Sequence, residues 1–306
     1  MNRKVLAGGL VALLGLAEAL LAQDTPMDTT SGTASKINYT FKTVNYPRAN
    51  YTQLLGINNS GQIVGYHGNG QDGQNPSRGF TFKMPNIYTN ENFPGSVQTH
   101  VTGINDLGQT SGFYTDTAGV PHGFVKLGTD FTTVDYPGTM ANQLLALNSA
   151  SQAIGVYFEA SGQMNYYLYE HGKFLLLSLP DEIKSGASIT GINNAGAISG
   201  YYQDKVGSTH GFVLTQGHLK TLTFPGASGT WVYGLNNVGQ VVGYYTLGIY
   251  QASGFVWSES TGFVTVDDPS GMGPTAITGI NDKGVIVGIY GDWLQAVNSN
   301  GFIGTP

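Results

Sequence analysis

The chain contains no cysteine, little charge and few long apolar runs. None of its 306 residues is Cys, which excludes a disulfide framework and any thiolate metal site. Only 10% of residues are Asp, Glu, Lys or Arg. Thirteen Lys and Arg stand against nineteen Asp and Glu, a formal net charge of −6. That balance leaves no material for the broad basic face that nucleic acid requires. No segment shows a helical period, and no apolar run after the N-terminus approaches the ~20 residues of a membrane span. At 41% apolar the chain is too hydrophobic to be disordered. Its excess is in glycine, 45 residues, about twice ordinary usage. The glycines do not fall at every third position, so collagen is excluded.

The first residues read as a transport address. Asn2-Arg3-Lys4 is positive, Val5–Leu16 is an uncharged run, and small residues follow at Ala17, Ala19 and Ala22. This is the three-part layout of a secretory signal peptide, with cleavage after Ala19 or Ala22. The alternative is an uncleaved anchor. The expected organisation is a signal peptide over 1–22, a polar Thr- and Ser-rich lead-in over 23–36 and a folded region over 37–306. The expected location is outside the cell or in the periplasm, with no membrane span after the signal is removed.

A repeat fills the rest. Gly56-Ile57-Asn58-Asn59-Ser60-Gly61-Gln62-Ile63-Val64-Gly65-Tyr66 recurs with variations, and its first Asn falls at 58, 105, 148, 193, 236 and 281, at intervals of 47, 43, 45, 43 and 45. A polar residue followed by Gly-Phe keeps the same period, as in Arg78-Gly79-Phe80 and His122-Gly123-Phe124; the third copy drifts to Asn165-Tyr166-Tyr167. A segment ending in Pro also recurs, as in Val134-Asp135-Tyr136-Pro137, and is weak in the third unit at Ser178-Leu179-Pro180. Each period holds four short runs rich in Val, Ile, Tyr, Phe and Thr, bounded by Gly, Asn or Pro. Four antiparallel strands in ~45 residues match one propeller blade. The predicted fold is therefore all-β, a six-bladed β-propeller of four-stranded antiparallel blades. The last unit lacks a fourth strand, and 37–47 supplies one at the opposite terminus, so the N-terminal strand is expected to close the ring. An open solenoid of hairpins is the alternative.

The phrase Gly-Ile-Asn-Asn-x-Gly-Gln-Ile-Val-Gly-Tyr, followed by His-Gly-Phe-Val, resembles the bacterial extracellular repeats of the HAF family. The resemblance covers about residues 37–306. It departs at the family's His-Ala-Phe, which reads His-Gly-Phe at 122–124 and 210–212. It implies a secreted bacterial protein and implies no reaction, so no catalytic residue is carried over.

Uniform Asn-x-x-Gly turns suit a scaffold, whereas the loops after each second strand and after each Pro-ended strand vary; variable loops on a rigid repeat are where binding usually resides, so the expected site is that face, around the central channel. The candidate ligand-binding residues on that face are Tyr51, His67, Arg78, His100, His122, His210, Trp231, Tyr250 and Trp293, with the acids Asp116, Glu159, Asp204 and Asp292 beside them. Each also has a structural reading. His122 and His210 share a slot filled elsewhere by Arg78, Asn165, Ser253 and Asn300, which suits a hydrogen-bond position. The acids suit turn formation, and calcium-loop spacing is absent. Trp231 and Trp293 lie in or beside variable loops and read as a ligand platform or as wedges between blades. No nucleophile elbow, zinc-protease motif or P-loop occurs. The expected function is a secreted, non-catalytic, monomeric module with no cofactor, binding a glycan or another neutral polymer by stacking and hydrogen bonds. A structural cation in the channel stays open. The alternatives are a hydrolase or lyase with His and acids at the channel mouth, and a structural matrix protein.

Overall fold

The structure, a computed structural model, describes residues 38–69, 76–184, 186–248, 251–267, 273–291 and 299–306. The expected signal peptide and lead-in lie outside the described residues, as do Tyr250, Asp292 and Trp293. Among the described residues every regular element is a β-strand.

The strands fall into four-stranded antiparallel sheets in the expected units. β1 (Thr40–Thr43) stands apart at the start. Sheet 1 is β2 (Tyr51–Ile57), β3 (Gln62–Gly68), β4 (Arg78–Lys83) and β5 (Ile87–Asn90). Sheet 2 is β6 (Gln98–Ile104), β7 (Thr110–Thr115), β8 (Pro121–Leu127) and β9 (Asp130–Val134). Sheet 3 is β10 (Ala141–Leu147), β11 (Ala153–Phe158), β12 (Met164–Glu170) and β13 (Lys173–Leu176). Sheet 4 is β14 (Ala187–Ile192), β15 (Ile198–Gln203), β16 (Thr209–Thr215) and β17 (His218–Leu222). Sheet 5 is β18 (Gly229–Leu235), β19 (Val241–Gly248), β20 (Gln251–Ser258) and β21 (Gly262–Thr265), linked to sheet 4 by one parallel pair, Thr209–Gly229. Sheet 6 is β22 (Thr275–Ile280), β23 (Ile286–Gly291), β24 (Ser299–Thr305) and, antiparallel to β24, β1, with Thr40 opposite Thr305 and Thr43 opposite Phe302.

Burial grades across each sheet. First strands are almost wholly buried, β22 throughout, whereas the fourth strands β5 and β13 are mostly exposed. Each first strand carries a bulge at the same place, at Leu55, Thr102, Leu145, Thr190, Tyr233 and Thr278. The extra residue bends the strand and strengthens its twist. The aromatic residues of the Gly-Phe phrase, Phe80, Phe124, Tyr167, Phe212, Phe255 and Phe302, are fully buried between sheets. Fully burying one such ring contributes about 2–3 kcal/mol, so the seams between sheets form the core.

The first Asn of each unit joins its sheet to the next. Its Oδ1 accepts from two backbone amides of its own turn, for Asn105 those of Leu107 and Gln109, both at 3.0 Å. Its Nδ2 donates to the carbonyl of the next unit's Asn. The bonds run Asn58 to Asn105, to Asn148, to Asn193, to Asn236, to Asn281, and from Asn281 back to Asn58, at 3.0–3.2 Å. Asparagine carries the acceptor that shapes the turn and the donor that reaches across on two separate atoms, which a Ser or Thr hydroxyl does not.

Candidate functional site

Among the described residues, polar side chains gather at three concave places and in a set of loop-face pairs. The first place is a small opening of about 80 Å³ on the hairpin-turn face, ringed by the second residues of the six turns. Those residues form another cycle. Asn59, Asp106, Ser149, Asn194 and Asn237 donate their backbone amides to side-chain oxygens of Asp106, Ser149, Asn194, Asn237 and Asp282, and Asp282 donates to Asn59, at 2.8–3.2 Å. Asn59 Nδ2 reaches both Asp106 and Asp282. Burial pushes the Asp282 carboxyl up, but bonds from Asn237 and Asn59 outweigh it and hold the group below its ordinary range.

The second place is the axial interior, a cavity of about 40 Å³ lined by the bulge residues. Every other one is a threonine whose hydroxyl donates to the next sheet: Thr102 to the Leu144 carbonyl at 2.8 Å, Thr190 to Val232 at 3.0 Å and Thr278 to Leu54 at 2.5 Å. Leu55, Leu145 and Tyr233 alternate with them. Two residues before Thr102, His100 is only 2% exposed, between Tyr66 at 4.2 Å and Phe113 at 4.7 Å. Burial pushes its imidazole down to about 3, so it is neutral across the working range.

On the loop face the polar slot before Gly-Phe is tied into its own sheet. His122 Nδ1 lies 2.6 Å from Asp135 and its Nε2 3.5 Å from Asp116. His210 Nδ1 lies 2.9 Å from the Thr223 hydroxyl and its Nε2 3.0 Å from Asp204. Asn165 donates to Glu159 at 2.9 Å. The acids also close their loops: Asp116 accepts from Ala118 and Val120, and Asp204 from Val206 and Ser208, at 2.8–2.9 Å. The Val120 amide above all holds the Asp116 carboxyl below its ordinary range, and His210 does the same for Asp204. These pairs sit on third strands and their loops, not at either axial cavity. His67 stacks under Tyr46 at 3.5 Å, and burial, then Arg78, pushes it down to about 4. Tyr51 is buried with its hydroxyl 2.9 Å from that of Ser77. Trp231 and His100, expected in or near variable loops, instead lie inside first strands β18 and β6; Trp231 is buried and stacked on Tyr244 at 4.8 Å. Packing against the neighbouring sheet claims both side chains.

The third place is a cleft of about 560 Å³ where sheet 3 meets sheet 4, lined by Gln163, Met164, Tyr166, Asp181, Lys184 and Ala187, with Gly162 at its edge. None of these was a sequence candidate. The signal was present as the drift of the third unit from the repeat, at Tyr166 and after Pro180. Among the described residues no group of three or more His, Asp or Glu side chains could hold a metal ion, and no helix is long and apolar enough to cross a membrane.

No family model matches the chain, and no curated protein matches it. Solved structures share its fold at low identity. The fucose-specific lectin from Aleuria aurantia, a six-bladed β-propeller, is 13% identical with a TM-score of 0.51, over 79% of this chain and 89% of its own. SapL1 lectin, solved with α-methyl fucoside, is 12% identical with a TM-score of 0.51, over 79% and 88%. TolB from Acinetobacter baumannii is 10% identical with a TM-score of 0.52, over 72% of this chain and 54% of its own.

Proposed function

We propose that the chain is a secreted six-bladed β-propeller of HAF-type repeats, its ring closed by β1, that binds a glycan or another neutral polymer without catalysis. It acts as a monomer and needs no cofactor. Ring closure is supported by the ladder between β1 and β24 and by the Asn cycle returning from Asn281 to Asn58. Secretion is supported by the layout of residues 1–22.

The observation that carries the binding reading is the engagement of the loop-face histidines. His122 and His210 meet a partner at both ring nitrogens, and two of those partners, Asp116 and Asp204, also close their turns, which supports a structural role. A general base needs a ring nitrogen within reach of a substrate proton, and here carboxylates, Asp116 and Asp204, stand at the Nε2 atoms. What the chain offers instead is many hydroxyl and carboxamide groups and few charges, with half-buried rings beneath them, which suits neutral hydroxylated ligands. Two of the lectins that share the fold are named for fucose or solved with a fucoside. The test is retention of the purified chain on glycan arrays and polysaccharide gels of plant, fungal and bacterial origin. Retention on at least one neutral glycan is expected; blanks across all of them would overturn the reading.

A further inference from the structure

The repeat supplies its own control, because what five units share is what the scaffold needs. Units 1, 2, 4, 5 and 6 place Gly before the buried aromatic. The next sheet leaves no room for more: a Cβ on Gly79 would lie 2.7 Å from Val101 Cγ2, one on Gly211 would meet Val232 Cγ2 closer still, and one on Gly123 would lie 3.1 Å from Leu144 Cγ. In unit 3 the position is Tyr166. Its ring is buried and its hydroxyl donates to the carbonyl of Ala187, the first residue of β14, at 2.9 Å. Seating this ring requires a wider seam, and β14 does stand farther from β11 than the first strands of the other sheets stand from their neighbours' second strands.

The connection below it is longer to match. Residues 177–186 make ten, against seven in 91–97, six in 135–140 and in 223–228, and nine in 266–274. Pro180 opens a tight turn, its carbonyl accepting from Ile183 and Lys184 at 3.0 Å. The turn sends Leu179 and Ile183 into the core beside Tyr166 and leaves Asp181 and Lys184 exposed on the cleft. The result has an apolar floor of Met164, Tyr166 and Ala187 and a polar rim of Gln163, Asp181 and Lys184. Its volume of about 560 Å³ lies inside the range of small-molecule sites.

We infer that this widened seam is the sugar-binding site, taking one or two residues of a neutral glycan. The inference rests on the carbohydrate reading above and places it. A pyranose has an apolar C–H face for the floor. Its hydroxyls can donate to the Asp181 carboxylate and accept from Lys184 and Gln163. The two rim charges are of opposite sign, so the site has no net field selecting an anion or a cation.

The test uses the full chain with Asp181→Asn and Lys184→Met, both exposed positions where the fold is expected to persist, and Lys205→Met on the sheet 4 loop as a control. Each is measured on the glycan gel that retains the wild-type chain. Titration with the corresponding methyl glycoside is followed through the methyl resonance of Met164. A tenfold or greater loss of affinity in both cleft variants, unchanged binding in the control and a shifted Met164 signal are the expected results. Wild-type binding that both cleft variants retain, with Met164 unmoved, overturns the seam assignment and leaves the carbohydrate reading standing. A wild-type chain that no glycan retains overturns both.

Discussion

Asparagine is needed at the head of each hairpin because one side chain does two jobs there. Asp in place of Asn105 would keep the acceptor for Leu107 and Gln109. It would lose the donor to Gln109 Oε1 and to the Asn148 carbonyl, and set a carboxylate against both oxygens. An uncompensated buried polar contact costs about 1–3 kcal/mol, and more when charged. Asn105→Asp is expected to lose about 3 kcal/mol in urea unfolding; a change under about 0.5 kcal/mol would contradict the sheet-to-sheet role. The turn-forming half of this role is legible in the sequence, since Asn-x-x-Gly is a local signal. The donor half joins residues more than forty positions apart, and no local pattern displays it. His100 gives a second test. Its folded pKa of about 3 lies below its ordinary 6.5, so the unfolded chain binds the extra proton between those values. Stability from this group is complete above pH 6.5 and falls as the pH drops toward 3, by up to about 1.4 kcal/mol per pH unit. His67, at about 4, adds a slope of the same sign. Replacing His100 by Phe in its aromatic surroundings is expected to flatten the loss of stability between pH 6.5 and 4.5 by up to one proton. An unchanged slope would show that His100 takes up a proton in the fold.

At the scale of elements, the four strands per unit and their order are legible because each is short, β-rich and punctuated by Gly, Asn or Pro. What was not legible is which strand residues face the axis. The bulge at Leu55, Thr102 and their counterparts shifts the two-residue alternation, so counting along the strand misplaces the side chains beyond it. Trp231 reads from the sequence as a ligand platform or a wedge because nothing local marks the start of β18 at Gly229; buried on Tyr244, it takes a packing role. The unit 3 departure was visible as a drift, but its meaning needs the seam geometry that explains glycine elsewhere. Tyr166→Gly removes the ring that holds this seam apart and leaves a void among Leu145, Ile189 and Ile183. Large-to-small core changes of this kind cost about 3–5 kcal/mol. The expected outcome is a marked fall in the urea midpoint together with lost glycan retention, read beside Asp181→Asn, which is expected to lose retention alone. A Tyr166→Gly chain of wild-type stability would contradict the packing role.

For the whole molecule, six sheets of one pattern leave two free strand edges unless the termini meet. Unpaired edges are templates for association with other chains. A chain starting after Thr43 keeps β2 to β24 but exposes β24. It is expected to self-associate in sedimentation and to unfold at lower urea, whereas a monomer of unchanged stability would leave β1 with no closing role. The number of units and the missing fourth strand are legible from the repeat positions alone. The cycles of bonds on the turn face are not, because they exist only once all six turns stand around one axis. Closure is tested most directly by a disulfide across the two ends, in a chain that contains no other cysteine. Thr40 and Thr305 are exposed partners in the β1–β24 ladder. With both changed to Cys, mild oxidation of the native monomer is expected to give an intramolecular bond, seen as faster migration on a non-reducing gel and a loss of 2 Da, and to give little of it in urea. Free thiols after oxidation, or cross-linked dimers alone, would contradict the closed ring.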